Sequence, residues 1–135
     1  MITSKVEYLG GLRTEAIHIA SGNKIITDAP IDNFGKGEAF SPTDLLATSY
    51  ASCLLTIVGV YCQNHGLNFT KGSAEVTKIM SSDTPRRVQK LILKIDLSGN
   101  GWNEDEKKRA IAAGKACPVA KTLGDNVEVE LEIIL

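Results

Sequence analysis

The chain carries almost no net charge. Its 15 Lys and Arg stand against 16 Asp and Glu, leaving −1 at pH 7. Neither end forms a basic or acidic tail, and Arg86 and Arg87 are the only adjacent arginines. Aromatic residues make up only 5% of the chain, so no basic stripe is interleaved with rings that stack on bases. These absences argue against a nucleic-acid surface. Histidine is also scarce. His18 and His65 are isolated from one another and read as ordinary polar residues. The cysteines are three, an odd number, which argues against a secreted disulfide scaffold. Cys53, Cys62 and Cys117 are also too widely spaced for the close pairs that hold structural zinc. The opening residues MITSKVEYLG lack the apolar core of a signal peptide, so the expected setting is the cytoplasm.

What is present suits one globular domain over residues 1–135. The length is that of an ordinary domain, 43% of the residues are hydrophobic, and there is no repeat or linker. One stretch, Leu45 to His65, contains no Asp, Glu, Lys or Arg. A membrane span needs about 20 mostly apolar residues. This run is diluted by Thr48, Ser49, Ser52, Thr56, Gly59, Gln63 and Asn64. It reads as a helix buried on all sides rather than as a span, with no membrane partner expected.

The order of elements follows from pattern and punctuation. Lys5–Leu9, Arg13–Ala20 and Lys24–Thr27 read as short strands, the last two joined by Ser21-Gly22-Asn23. Residues 28–41 read as loop. Ser41 fits a helix N-cap, Pro42 the first helical position and Asp44 the reciprocal cap, opening a helix to about His65, where Gly66 stops it. Ser73–Ile79 and Val88–Leu97 are strand candidates. Asn103 with Glu106 opens a charged helix ending near Lys115. Cys117-Pro118 repeats the cap-then-proline pattern before a short helix to Leu123. Val127, Val129, Leu131 and Ile133 alternate with Glu128, Glu130 and Glu132 in a final strand, with the glutamates facing water. Strands at both ends with helices between and after predict an α+β fold, with antiparallel sheets around a long buried central helix. Cover for such a helix exceeds what a chain this short supplies, which points to a dimer.

Three thiols are the candidates for chemistry. Cys53 lies in the middle of the apolar helix, where free cysteine usually serves as a small hydrophobe. Cys62 points to the opposite side of the same helix, at about 100° per residue, and reads as packing. Cys117 is the exception. As a cap it sits near free backbone N–H groups and the positive end of the helix dipole, both of which favour a thiolate. Its ordinary reading is that of a cap filler, although Ser, Thr, Asp and Asn are the usual caps.

Two runs carry a resemblance. Ser41-Pro42-Thr43-Asp44-Leu45-Leu46 through Ser49-Tyr50-Ala51-Ser52-Cys53, and Ala116-Cys117-Pro118-Val119-Ala120-Lys121-Thr122-Leu123, resemble the two cysteine motifs of the OsmC/Ohr family, the osmotically inducible and organic hydroperoxide resistance proteins. The segment Gly35-Lys36-Gly37-Glu38-Ala39-Phe40 resembles an OsmC-like branch more than the characterised peroxidase branches. The resemblance implies an intertwined homodimer with active sites at the interface and no cofactor. It implies that Cys53 attacks an organic hydroperoxide and that Cys117 resolves the sulfenic acid as a disulfide. A thiol reductant, dihydrolipoyl groups in one branch, then resets the pair. It also implies an arginine that stabilises the thiolate. Arg13, following Gly10-Gly11-Leu12, matches that position, one residue beyond a plain Gly-Gly-Arg. Taken alone, Arg13 reads as a solvated strand residue. The peroxidases hold this arginine with a glutamate where this chain has Thr43. Glu38 is a candidate replacement. Asp44 is adjacent but expected to cap the helix.

Three functions are therefore in play. The first is thiol-dependent reduction of hydroperoxides by Cys53 and Cys117. The second is binding of a small apolar ligand with little peroxidase activity. The third is a stress-associated dimer without a ligand. Both cysteines favour the first, and Thr43 favours the second.

Overall fold

The computed structural model describes every residue from Met1 to Leu135. The chain divides into two compact units, Met1–Leu46 and Ala47–Leu135.

The first unit is a three-stranded antiparallel sheet, β1 (Ser4–Gly10), β2 (Arg13–His18) and β3 (Lys24–Asp28), in that order. The turn between β1 and β2 uses three consecutive left-handed residues, with φ of 82° at Gly10, 61° at Gly11 and 64° at Leu12. Glycine accepts that conformation without a Cβ clash, whereas Leu12 carries the strain. The loop after β3 is knitted back to the sheet. Asp28 N–H donates to Phe40 O and Ala29 N–H to Leu12 O, each at 3.1 Å.

The long helix α1 (Pro42–Asn64) opens as its sequence predicts. Asp44 N–H donates to Ser41 Oγ at 3.0 Å, and Ser41 N–H donates back to Asp44 Oδ2 at 2.9 Å. Two backbone donors that the first turn leaves orphaned are thereby satisfied.

The second unit pairs β4 (Ser73–Met80), β5 (Val88–Asp96) and β6 (Glu128–Ile134) in that order. Central β5 contributes Leu91, Leu93 and Ile95, all with no exposed surface. Val129, Leu131 and Ile133 lie opposite them on β6, while Lys90 on the other face stands 3.9 Å from both Glu128 and Glu130. The pattern of the last strand is thus realised, with aliphatics inward and glutamates outward.

One expectation is corrected. The sheets are not antiparallel throughout, because β5 and β6 run parallel. Parallel neighbours need a crossover, and α2 (Glu104–Lys115) and α3 (Pro118–Leu123) supply it. Its own chain covers α1 along one side. It buries a stripe of Ala47, Tyr50, Ala51, Leu54, Val58 and Cys62, and Leu46 and Val60 remain exposed. By length and composition α1 is apolar enough to cross a membrane, yet that stripe belongs to the hydrophobic core of the second unit together with β5.

Helix α2 starts on the predicted box, in which Asn103 Oδ1 accepts from Glu106 N–H at 2.9 Å and Glu106 Oε2 accepts from Asn103 N–H at 3.1 Å. Near its end it comes close to α1 at Gly114. A Cβ there would lie 2.9 Å from Val58 Cγ2 and 3.2 Å from Leu54 Cδ2. Gly114→Val should therefore overpack this crossing and destabilise the protein by about 1–3 kcal/mol, which equilibrium urea unfolding will measure as a lowered midpoint.

Candidate active site

Cys117 is the N-cap of α3. Its backbone is extended, at φ −62° and ψ 152°, and its Sγ accepts the Ala120 N–H at 3.5 Å. Pro118 occupies the first helical position, where a missing N–H costs nothing. Cys117 is fully buried. Cys53, midway along α1, is partly exposed, and its thiol is near enough to raise the pKa of Cys117. Both are free. The two cysteines singled out by sequence are thus brought together by the end of the crossover.

The electrostatics of Cys117 differ from what its capping position alone predicts. Burial pushes its thiol above the ordinary value. The N–H groups of Ala120 and Val119 pull it down but do not prevail, and the Cys53 thiol raises it further. Desolvation of the charged form thus outweighs the helix start. Tyr50, one turn before Cys53, is a neighbour that the sequence did not mark. Burial raises the pKa of its hydroxyl, and the charge on Cys117 raises it again. Cys62 lies in the buried stripe of α1, where burial alone raises its thiol. His18 is engaged by Ser21, and His65 by the Tyr61 carbonyl and ring.

Within the first unit, Arg13 opens β2, and one of its terminal nitrogens (NH1) is 3.8 Å from Glu38 Oε2. That is an ion pair too long for a hydrogen bond, and both side chains are partly exposed, so its strength is that of a surface pair. Glu38 is fixed from behind, its backbone N–H donating to Asp28 Oδ2 at 2.9 Å. Asp44 is occupied at the helix start, and Thr43 Oγ1 lies 3.2 Å from Ser41 Oγ. Asp28 is the residue that sequence reasoning missed here. A lone acid closing a strand carries no local signal, and only its complete burial marks it.

Chemically, two neighbouring reduced thiols on separate helices can give up two electrons and two protons to an oxidant and close as a disulfide. One is accessible, and the other is shielded and protonated.

The model of the family described as OsmC-like protein matches residues 35–132. A comparison with curated proteins found no match. Among solved structures, a Psychrobacter arcticus protein provisionally described as an osmotic stress induced and detoxification response protein is 48% identical. It aligns over 98% of this chain and 96% of its own, with a TM-score of 0.90. A Legionella pneumophila organic hydroperoxide resistance protein OsmC is 19% identical over 100% of this chain and 98% of its own, with a TM-score of 0.77. The organic hydroperoxide resistance protein OhrB of Bacillus subtilis is 17% identical over 98% of each chain, with a TM-score of 0.68. The last two likenesses speak to the fold alone.

The buried thiols make stability depend on pH. Cys62 and Cys117 keep their protons in the folded chain beyond the pH at which the unfolded chain releases them, about 8.5. The native state then binds more protons, so stability should fall as pH rises above that value. Urea midpoints measured between neutral and alkaline pH will show the slope, and Cys62→Val will remove its share.

Proposed function

The chain belongs to the OsmC-like family, and from that premise we propose that it reduces organic hydroperoxides with its own thiols, Cys53 attacking and Cys117 resolving. The observation that carries this reading is the meeting of the two thiols, one partly exposed and the other buried. The Cys53 thiolate attacks the terminal peroxide oxygen, the O–O bond breaks, and the alkoxide leaves as an alcohol after taking a proton. Cys53 is then a sulfenic acid. The Cys117 sulfur displaces its hydroxyl, which departs with a proton as water, and a disulfide remains. A dithiol of the dihydrolipoyl class returns both sulfurs to thiols and is itself oxidised to a disulfide.

The division of roles has a physical basis. The attacking sulfur must meet substrate, and Cys53 is the accessible one. The resolving sulfur needs only reach. Its raised pKa holds it as a thiol until the sulfenic acid forms beside it, and a second thiol prevents over-oxidation. A thiolate on an apolar helix also needs a cation. Arg13, with Glu38 as its acid, is assigned that role, since a guanidinium stays charged at any useful pH. Thr43 in place of the family glutamate favours the alternative, a small apolar ligand held at the interface by a protein whose cysteines oxidise only incidentally.

A homodimer is part of the proposal. Val6, Tyr8 and Ile25 share one face of the first sheet by register and are 62%, 67% and 49% exposed. Apolar surface gains about 25 cal/mol per Å² on burial, and a second copy of this chain is the proposed cover. A reducing cytoplasm suits cysteines that work as free thiols.

Two measurements test the reading. Intact-mass spectrometry after one equivalent of cumene hydroperoxide should show a disulfide in the wild type. It should show a sulfenic or sulfinic adduct on Cys53 in Cys117→Ser, no reaction in Cys53→Ser, and wild-type behaviour in Cys62→Ser. An adduct on Cys117 formed at the wild-type rate in Cys53→Ser reverses the roles, and an inert wild type favours ligand binding. Sedimentation at micromolar concentration should give a dimer, and a folded monomer there would remove that part.

A further inference from the structure

Two buried polar atoms of the first unit have no hydrogen-bond partner, Arg13 Nε and Asp28 Oδ1. One is a donor and the other an acceptor. They belong to residues directly opposite each other where β2 pairs with β3. Facing residues of an antiparallel pair leave the sheet on the same side. The neighbouring pair, Thr14 and Thr27, is joined through its hydroxyls, which pins this register. A buried donor or acceptor without a partner is costly, and here two complementary ones stand on opposed residues.

Asp28 is completely buried, and its Oδ2 alone is engaged, by the Glu38 N–H. The Glu38 carboxylate forms the long ion pair with Arg13. The visible anchor of Arg13 is thus loose, and it is carried on backbone that Asp28 already holds.

We propose that Asp28 is a positioning residue for Arg13. Its Oδ2 pins the loop that presents Glu38, and its Oδ1 receives the Arg13 Nε–H as the guanidinium settles in the working site. Held at Nε by Asp28 and at NH1 by Glu38, the planar group keeps its remaining terminal nitrogen, NH2, for a third anion. The relevance to catalysis rests on the assignment of Arg13 as the cation for the Cys53 thiolate. The Asp28–Arg13 bond itself does not.

The test combines a rate with a spectroscopic signal. Asp28→Asn keeps the side-chain shape and an acceptor for the Glu38 N–H but drops the charge, and thermal melting will establish that it folds. Stopped-flow oxidation of Cys53 by cumene hydroperoxide should slow about tenfold, the worth of one charge-assisted hydrogen bond. The same substitution in an Arg13→Ala background should cost nothing further. An equal loss in both backgrounds, or no loss in either, overturns the proposal. Independently, nuclear magnetic resonance should find the wild-type Arg13 Nε–H, assigned by its absence in Arg13→Ala, protected from solvent exchange. That protection should vanish in Asp28→Asn. An unprotected wild-type signal, or one unchanged in Asp28→Asn, also overturns it. This signal needs no peroxide. A wild type inert to peroxide would sink the peroxidase reading, while the resonance data still decide whether Asp28 holds Arg13.

Discussion

The close crossing of α1 and α2 at Gly114 sets where the chain can deliver Cys117. Val58 and Leu54 fill the space that a side chain at Gly114 would occupy. Two residues later α2 has ended, and the Cys117 N–H bonds back to the Gly114 carbonyl at 3.1 Å. The cysteine is therefore tied by backbone to the point of closest approach between the helices. Its neighbour Cys53 is one residue before Leu54 on α1. The parallel placement of β6 depends on the same crossover, because α2 and α3 carry the chain from the end of β5 back to the start of β6.

Burial at this crossing also decides the chemistry. A helix N-terminus stabilises a thiolate through its free N–H groups, and Cys117 has two of them at hand. Yet Cys117 is fully buried, and removing a charge from water costs more than those donors return. The same desolvation acts on Tyr50 beside it. The outcome is a pair of unlike thiols, of which only Cys53 is open to an incoming molecule. Cys117 keeps its proton and stays shielded, while its neighbour Cys53 is the more accessible of the two.

Much of this was legible in the sequence where local physics decides. The Ser41–Asp44 box, the Asn103–Glu106 box, the Cys117-Pro118 start and the alternation of the last strand all appear as read, because each is settled within a few residues. The path of β6 was not legible, since strand direction depends on how a crossover packs rather than on the pattern of the strand. How α1 is covered is likewise only partly a local matter. An uncharged helix declares that it can be covered, but not how many layers the chain has to cover it with, and here only the stripe from Ala47 to Cys62 is covered. Within the candidate site, Cys117 stood out by position, and Cys53 only through the family resemblance. The acidity of Cys117 did not follow, because a cap is a local feature and burial is not.

The charged part of the candidate machinery is organised differently from the sulfur part. Cys53 and Cys117 are set by helices and by an apolar core. Arg13 and Glu38 are set by a strand end and a loop, and both are partly open to water. Surface ion pairs of that kind contribute little and hold geometry poorly. A loop rich in glycine needs an internal tie if it is to present a carboxylate reproducibly, and Asp28 supplies it. Its position at the end of β3 gives it a rigid base, its Oδ2 holds the Glu38 backbone, and the backbone bonds of Asp28 and Ala29 bind both ends of the loop to the sheet. Thr43 carries no charge, the acid beside Arg13 is Glu38, and the Glu38 backbone is held by the buried Asp28 carboxylate.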